Sequence, residues 1–223
     1  MHPAGGVRRR LLTIDKRDWS QRSYSLPPGC LFHVANAWED KDGTIRLQYM
    51  RSDDPMSLLS GWSVMRGEYR HQEGARLTSL ILDPAAGTAT QSAVGERESE
   101  FPIVARRDIG QRYEHVLCVE RGAERPADVP GFDHIAVVDI ESGAADRFSY
   151  RDGWLVEEHL FIDRPDEIAP RWVIGTALDT RTDNTVLSIF DAAHVSDGPI
   201  AQARPPYSLP LGLHGTFRSD LIR

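Results

Sequence analysis

Four times along this chain an apolar run closes on an aspartate and passes straight into a turn, at Asp15, Asp83, Asp139 and Asp191. The intervals are irregular but of the order of 50 residues, the length of a unit of four short antiparallel strands such as one propeller blade. An aspartate at such a place accepts hydrogen bonds from the backbone just beyond it, so the repeat marks organisation and not chemistry. Strand-like runs fill the intervals, at residues 44–50, 76–82, 116–119, 134–138, 155–162, 172–178 and 185–190, and helical periodicity is scarce. Turn signals such as Asp42-Gly43, Glu141-Ser142-Gly143 and Arg151-Asp152-Gly153 separate them. The expectation is an all-β fold, a β-propeller sector of about four blades, forming a single domain over residues 1–223. Residues 52–73 and 122–130 read as long loops or lids.

Composition narrows the function classes. A chain of 223 residues that is 40% hydrophobic and 26% charged can bury one sizeable core. A net charge of −7 argues against nucleic acid and against an anionic membrane held by bulk electrostatics. The compact basic cluster Arg8-Arg9-Arg10 has no aromatic interleaving and reads as a solvated turn. Two cysteines, Cys30 and Cys118, are too few for a disulfide framework and fit a reducing compartment. Cys30 and His33 share a C-x-x-H spacing, but no second such pair exists to complete a zinc site, so Cys30 is expected to pack. No apolar run approaches the roughly 20 residues of a membrane helix, and the N-terminus has no signal-like segment, so the expected location is cytoplasmic.

Two histidines stand out. Phe32-His33-Val34-Ala35-Asn36-Ala37-Trp38-Glu39 and Leu213-His214-Gly215 each place an imidazole at the end of an apolar strand beside small residues, where it can point inward to a buried centre. Sharing an ion requires a fold that gathers strand ends around an axis. His71, His115, His134, His159 and His194 read as satisfied structural residues, Glu39 as local support around an Asn36-Ala37 turn, and Phe32, Trp38 and Phe161 as packing.

The histidine segments, together with Ser99-Glu100-Phe101-Pro102, residues 133–139, Glu158-His159-Leu160-Phe161-Ile162, Asp191-Ala192 and Leu211-Gly212, occur in one order. In that order the chain resembles the C-terminal part of the carotenoid cleavage oxygenase family, which includes lignostilbene and apocarotenoid dioxygenases. The resemblance implies a seven-bladed propeller whose axis holds a non-haem iron(II) on four histidines, with His33 and His214 on the third and fourth ligand positions. It implies that Glu100 and Glu158 each accept the remaining ring N–H of a ligand histidine and so hold that ring in place. The implied reaction splits a C=C bond of an apocarotenoid or stilbene with O2 into two carbonyl products, in an apolar tunnel that Phe101 would line.

The chain departs from the family pattern at Glu158-His159-Leu160-Phe161-Ile162-Asp163, where both of the family's prolines are absent, which loosens the turn that aims Glu158. The first two ligand histidines belong to the family's N-terminal half, which is expected to be missing here. Two imidazoles hold iron(II) poorly, and about four blades of seven leave open strand edges. The lone chain is therefore expected to be inactive. The alternatives are a silent partial propeller acting as an interaction module, or one half of a split enzyme. A further reading is a propeller glycosidase using Glu100 and Glu158 as its carboxylate pair. Peripheral membrane contact through residues 55–64, with Met56, Leu58, Leu59 and Trp62, is also expected as an option.

Overall fold

A computed structural model describes residues 9–56, 63–64, 66–163 and 169–218. Among these, strands β1 (Arg9–Ile14) and β2 (Gln21–Leu26) form a two-stranded ribbon. Three four-stranded antiparallel meanders follow. The first contains β3 (Cys30–Glu39), β4 (Ile45–Ser52), β5 (Arg76–Asp83) and β6 (Thr88–Ala93). The middle one contains β7 (Ser99–Ile103), β8 (His115–Glu120), β9 (His134–Asp139) and β10 (Ala145–Ser149). The last contains β11 (Trp154–Ile162), β12 (Trp172–Asp179), β13 (Asn184–Asp191) and β14 (Ala201–Ala203).

The first strand of each meander is the innermost, since β3 touches β7 and β7 touches β11. The sheets thus fan out from a shared centre, as propeller blades do. No helix among the described residues is long and apolar enough to cross a membrane. Of the residues suggested for membrane contact, Met56 is exposed, and Leu58, Leu59 and Trp62 lie outside the described residues.

The two-residue period of a strand decides which interface each side chain fills. Along β8 and β9, Val116, Cys118, Ala136 and Val138 pack toward the first sheet against Trp38, Met50 and Leu77. The alternate residues Leu117, Val119, Ile135 and Val137 pack toward the last sheet against Val156, Val173 and Phe190. The middle sheet is therefore buried on both faces, which is why its central strands read as continuous apolar runs. Each fully buried Leu or Ile there contributes about 1.5–3 kcal/mol. A third core, with Tyr24 and Leu26 of the ribbon on Tyr49, Leu80 and Leu82, sits on the other face of the first sheet.

The four repeated aspartates do the same thing at the same place. Asp83, Asp139 and Asp191 end the third strand of their sheets, and Asp15 follows β1. In each case one carboxylate oxygen accepts the backbone N–H two residues on: Arg17 at 2.8 Å, Ala85 at 2.8 Å, Glu141 at 3.1 Å and Ala193 at 3.0 Å. By this register β1 and β2 take the place of the outer two strands of a sheet, so the expected four blades are present as three complete sheets and one outer hairpin.

Three local expectations are corrected. Asn36 is in strand and not in a turn; its side chain donates to Asp108 O at 2.8 Å and accepts from Gly110 N at 2.9 Å, clamping the loop after β7. Glu39 is exposed at the end of β3. Phe32, expected to pack, is 55% exposed, whereas Trp38 is buried and Phe161 packs on the core between the middle and last sheets. Cys30 donates weakly to Ser52 O.

Candidate metal centre

All three innermost strands are irregular where they reach the centre. The β3–β4 ladder slips between Leu31 and Asn36, the β7–β8 ladder between Glu100 and Ile103, and the β11–β12 ladder between Val156 and His159. Bulges of this kind re-aim side chains that regular alternation would send elsewhere. They carry His33, Glu100 and Glu158. At the second bulge Phe101 holds a φ of 52°, a left-handed conformation that costs an aromatic residue strain and turns its ring toward the histidines.

His33 Nδ1 lies 2.6 Å from Glu100 Oε2, and the same oxygen accepts the Phe101 backbone N–H at 3.1 Å. His214, expected at the end of an apolar strand, instead lies on the irregular C-terminal segment after β14. Its Nδ1 lies 3.0 Å from Glu158 Oε1, and Glu158 Oε2 accepts Gly215 N–H at 2.7 Å. Each carboxylate is thus satisfied twice, and each ring donates from Nδ1, which fixes the tautomer with a lone pair on Nε2. Neither Nε2 has a hydrogen-bond partner among the described residues.

The rings of His33 and His214 stand 5.1 Å apart between centroids, at 90° to one another. Two imidazoles on one ion, with metal–nitrogen bonds of about 2.0–2.1 Å subtending about 90–109°, have centroids roughly 4.5–5.2 Å apart. The two rings fit a shared cation by this measure. Among the described residues no group of three or more His, Cys, Asp or Glu gathers to hold a metal, and His33 and His214 approach one another as a pair. Imidazole donors without thiolate suit iron(II).

Beside the pair lies a cavity of about 390 Å³, lined by apolar Phe32, Phe101, Phe132, Leu155, Val156 and Leu211 with His33 and Glu100 on its wall. Phe101 sits 5.4 Å from the His33 ring and 5.8 Å from the His214 ring. The 122–130 loop supports this wall: buried Arg121 donates to Val129 O at 2.9 Å, Gly131 O at 3.0 Å and Pro126 O at 2.6 Å, holding the turn that leads into Phe132. His214 itself is half-exposed, with a side-chain exposure of 53% against 18% for His33.

The other histidines have separate surroundings. His159 is fully buried, its Nδ1 2.8 Å from Glu157 O and its Nε2 3.0 Å from the Tyr150 hydroxyl, and burial lowers its pKa to about 4. His134 Nδ1 meets Asp133 Oδ1 at 3.0 Å. His71 lines the cavity with both ring nitrogens partnered, Nε2 3.2 Å from Glu98 Oε2 and Nδ1 3.3 Å from the Tyr69 hydroxyl. Glu157, which sequence reasoning passed over, also lines the cavity. The available signal was two adjacent glutamates in a strand, which regular alternation would not direct to one task. Glu100 and Glu158 are each bound by a histidine and a backbone N–H, so no free carboxylate pair of the glycosidase kind is formed by them.

The chain as a whole resembles known proteins. The family model described as retinal pigment epithelial membrane protein, RPE65, matches residues 6–219. The apocarotenoid-15,15'-oxygenase of Synechocystis sp. is 25% identical over 191 residues, covering 85% of this chain and 38% of that protein. The lignostilbene-alpha,beta-dioxygenase isozyme III of Sphingomonas paucimobilis is 28% identical over 127 residues, covering 53% of this chain and 26% of its own length. A crystal structure of the cobalt-substituted Synechocystis apocarotenoid oxygenase superposes with a TM-score of 0.78 at 22% identity, covering 94% of this chain and 43% of the other. The fold is therefore that of a β-propeller oxygenase over part of its ring, and the chain spans well under half the length of these relatives. With the family model covering nearly all of it, the chain belongs to the RPE65 family of carotenoid oxygenases.

Proposed function

We propose that this chain is one propeller domain supplying half of an iron(II) centre, at which a dioxygenase splits the C=C bond of an apocarotenoid or stilbene. The observation that carries the reading is the convergence of two imidazoles 5.1 Å apart, each pinned at Nδ1 by its own carboxylate and each presenting an unengaged Nε2. His33 and His214 would hold the ion. Glu100 and Glu158 keep both rings in the ligating tautomer and orientation, a contribution typically worth 10–100-fold in metal affinity or activity. When bound, iron supplies the redox chemistry by which O2 adds its two oxygen atoms across the alkene, giving two carbonyl groups. Phe32, Phe101, Phe132 and Leu155 form an apolar wall that would receive an elongated alkene.

Two ligands give weak binding, and Leu31, Phe32, Val34, Leu211 and Leu213, which flank the two histidines in the chain, are exposed. Both features fit a centre completed by the part of the ring that the longer relatives carry. The lone chain would then bind metal weakly and turn over nothing. The alternative, a silent partial propeller serving as an interaction module, keeps the fold without the ion.

Cobalt(II) titration of the purified chain, followed by histidine ring NMR signals, tests the reading. Selective broadening of His33 and His214, abolished for both in His33→Ala, is expected. Equal broadening at the remaining histidines would refute a shared site, and aldehyde formed from a fluorescent stilbene by the chain alone would refute the half-centre.

A further inference from the structure

We infer that Glu157 is a positioning residue that sets where His214 sits, an inference that rests on the metal-centre reading and adds a residue to it. The bulge between Val156 and His159 lets Glu157 and Glu158, neighbours in β11, both engage the same C-terminal segment. Glu158 grips it at His214 and Gly215. Glu157 Oε1 accepts Gly212 N–H, two residues before the ring, and its Oε2 accepts the Thr176 hydroxyl of β12. Glu157 is 9% exposed, so its carboxylate is desolvated and depends on these donors.

The geometry makes a two-point clamp. One hydrogen bond to Gly215 and one ring contact leave the segment free to pivot, because His214 is half-exposed and the 211–215 backbone lies outside any sheet. A second grip at Gly212, anchored through Thr176 to the body of the last sheet, removes that freedom. Further back, Leu209 N–H donates to Thr185 Oγ1 at 3.0 Å, which continues the attachment along the same sheet. Ordering in advance of ligation is what a ring on a loose segment needs to bind at a fixed angle.

The test uses the metal-free chain, so it does not depend on iron chemistry. Backbone amide exchange at Gly212 and Gly215 and the His214 ring signals are compared for wild type, Glu157→Ala, Glu157→Gln and Thr176→Val. The expected result is exchange at Gly212 about tenfold faster and a shifted, broadened His214 signal in Glu157→Ala and Thr176→Val, with His33 unmoved. Glu157→Gln keeps an acceptor for Gly212 and should restore most of the protection. Unchanged Gly212 protection and an unchanged His214 signal in both disruptive variants would overturn the clamp. Cobalt(II) titration of the same variants separates the two readings. With the clamp intact and no cobalt at His214 in wild type, only the metal centre fails; cobalt bound equally in wild type and Glu157→Ala would overturn the positioning role alone.

Discussion

Acid should loosen the last sheet through one buried imidazole. His159 is 2% exposed, packed against Gly175 and between Tyr150 and Phe190, and burial holds its pKa at about 4 against an ordinary 6.5. In the folded protein the ring stays neutral, donating from Nδ1 to Glu157 O and accepting the Tyr150 O–H at Nε2. Burial raises the Tyr150 pKa, so that phenol remains a donor. The unfolded chain takes up a proton once the pH drops below 6.5, and the folded chain does not until about 4. The stabilisation is therefore complete above pH 6.5 and is lost as the pH falls toward 4. A difference of that size corresponds to about 3 kcal/mol, a large share of the 5–15 kcal/mol of a typical domain. Urea unfolding from about pH 7 down to pH 4 should show wild type losing about 3 kcal/mol more than His159→Gln, whose amide stays neutral throughout. Parallel pH profiles for the two proteins, or a ring NMR titration midpoint near 6.5, would refute the reasoning.

Other expectations follow from single contacts. Glu100→Ala removes the acceptor 2.6 Å from His33 Nδ1, and cobalt(II) affinity should fall about 10–100-fold in an isothermal titration. Gly175→Ala would set a methyl 2.3 Å from the buried His159 ring, and the unfolding free energy from urea titration should drop by about 3 kcal/mol. Arg121→Met strands the carbonyls of Pro126, Val129 and Gly131, and limited proteolysis should cut within residues 122–130 markedly faster than in wild type.

The sequence was most readable where strands are buried. Runs in β4, β5, β8, β9, β11, β12 and β13 were visible because one or both faces enter a core. The outermost strands β6, β10 and β14 left no trace, since residues such as Thr88, Thr90 and Gln202 face water and form no apolar run. In the ribbon, the apolar run closing on Asp15 marked β1, although Arg9 and Arg10, expected in a turn, are its first residues; β2 went unseen, as only Tyr24 and Leu26 are buried there. At the centre, His33 and His214 were legible from their apolar and glycine-flanked settings, and the structure brings them together with Glu100 and Glu158. The bulges were not legible: a one-residue slip depends on the partner strand, which local sequence does not contain. Glu157 was missed for that reason, and so was the exposure of Phe32.

The division of β8 by parity has a mechanical consequence. Val116 and Leu117 are neighbours in the chain, yet each braces a different joint, so pulling either sheet away from the middle one disturbs the strand on which the other joint rests. The two seams are thereby yoked. Loss of one should bring down its neighbour, and the three sheets should come apart in a single cooperative event instead of peeling away in turn.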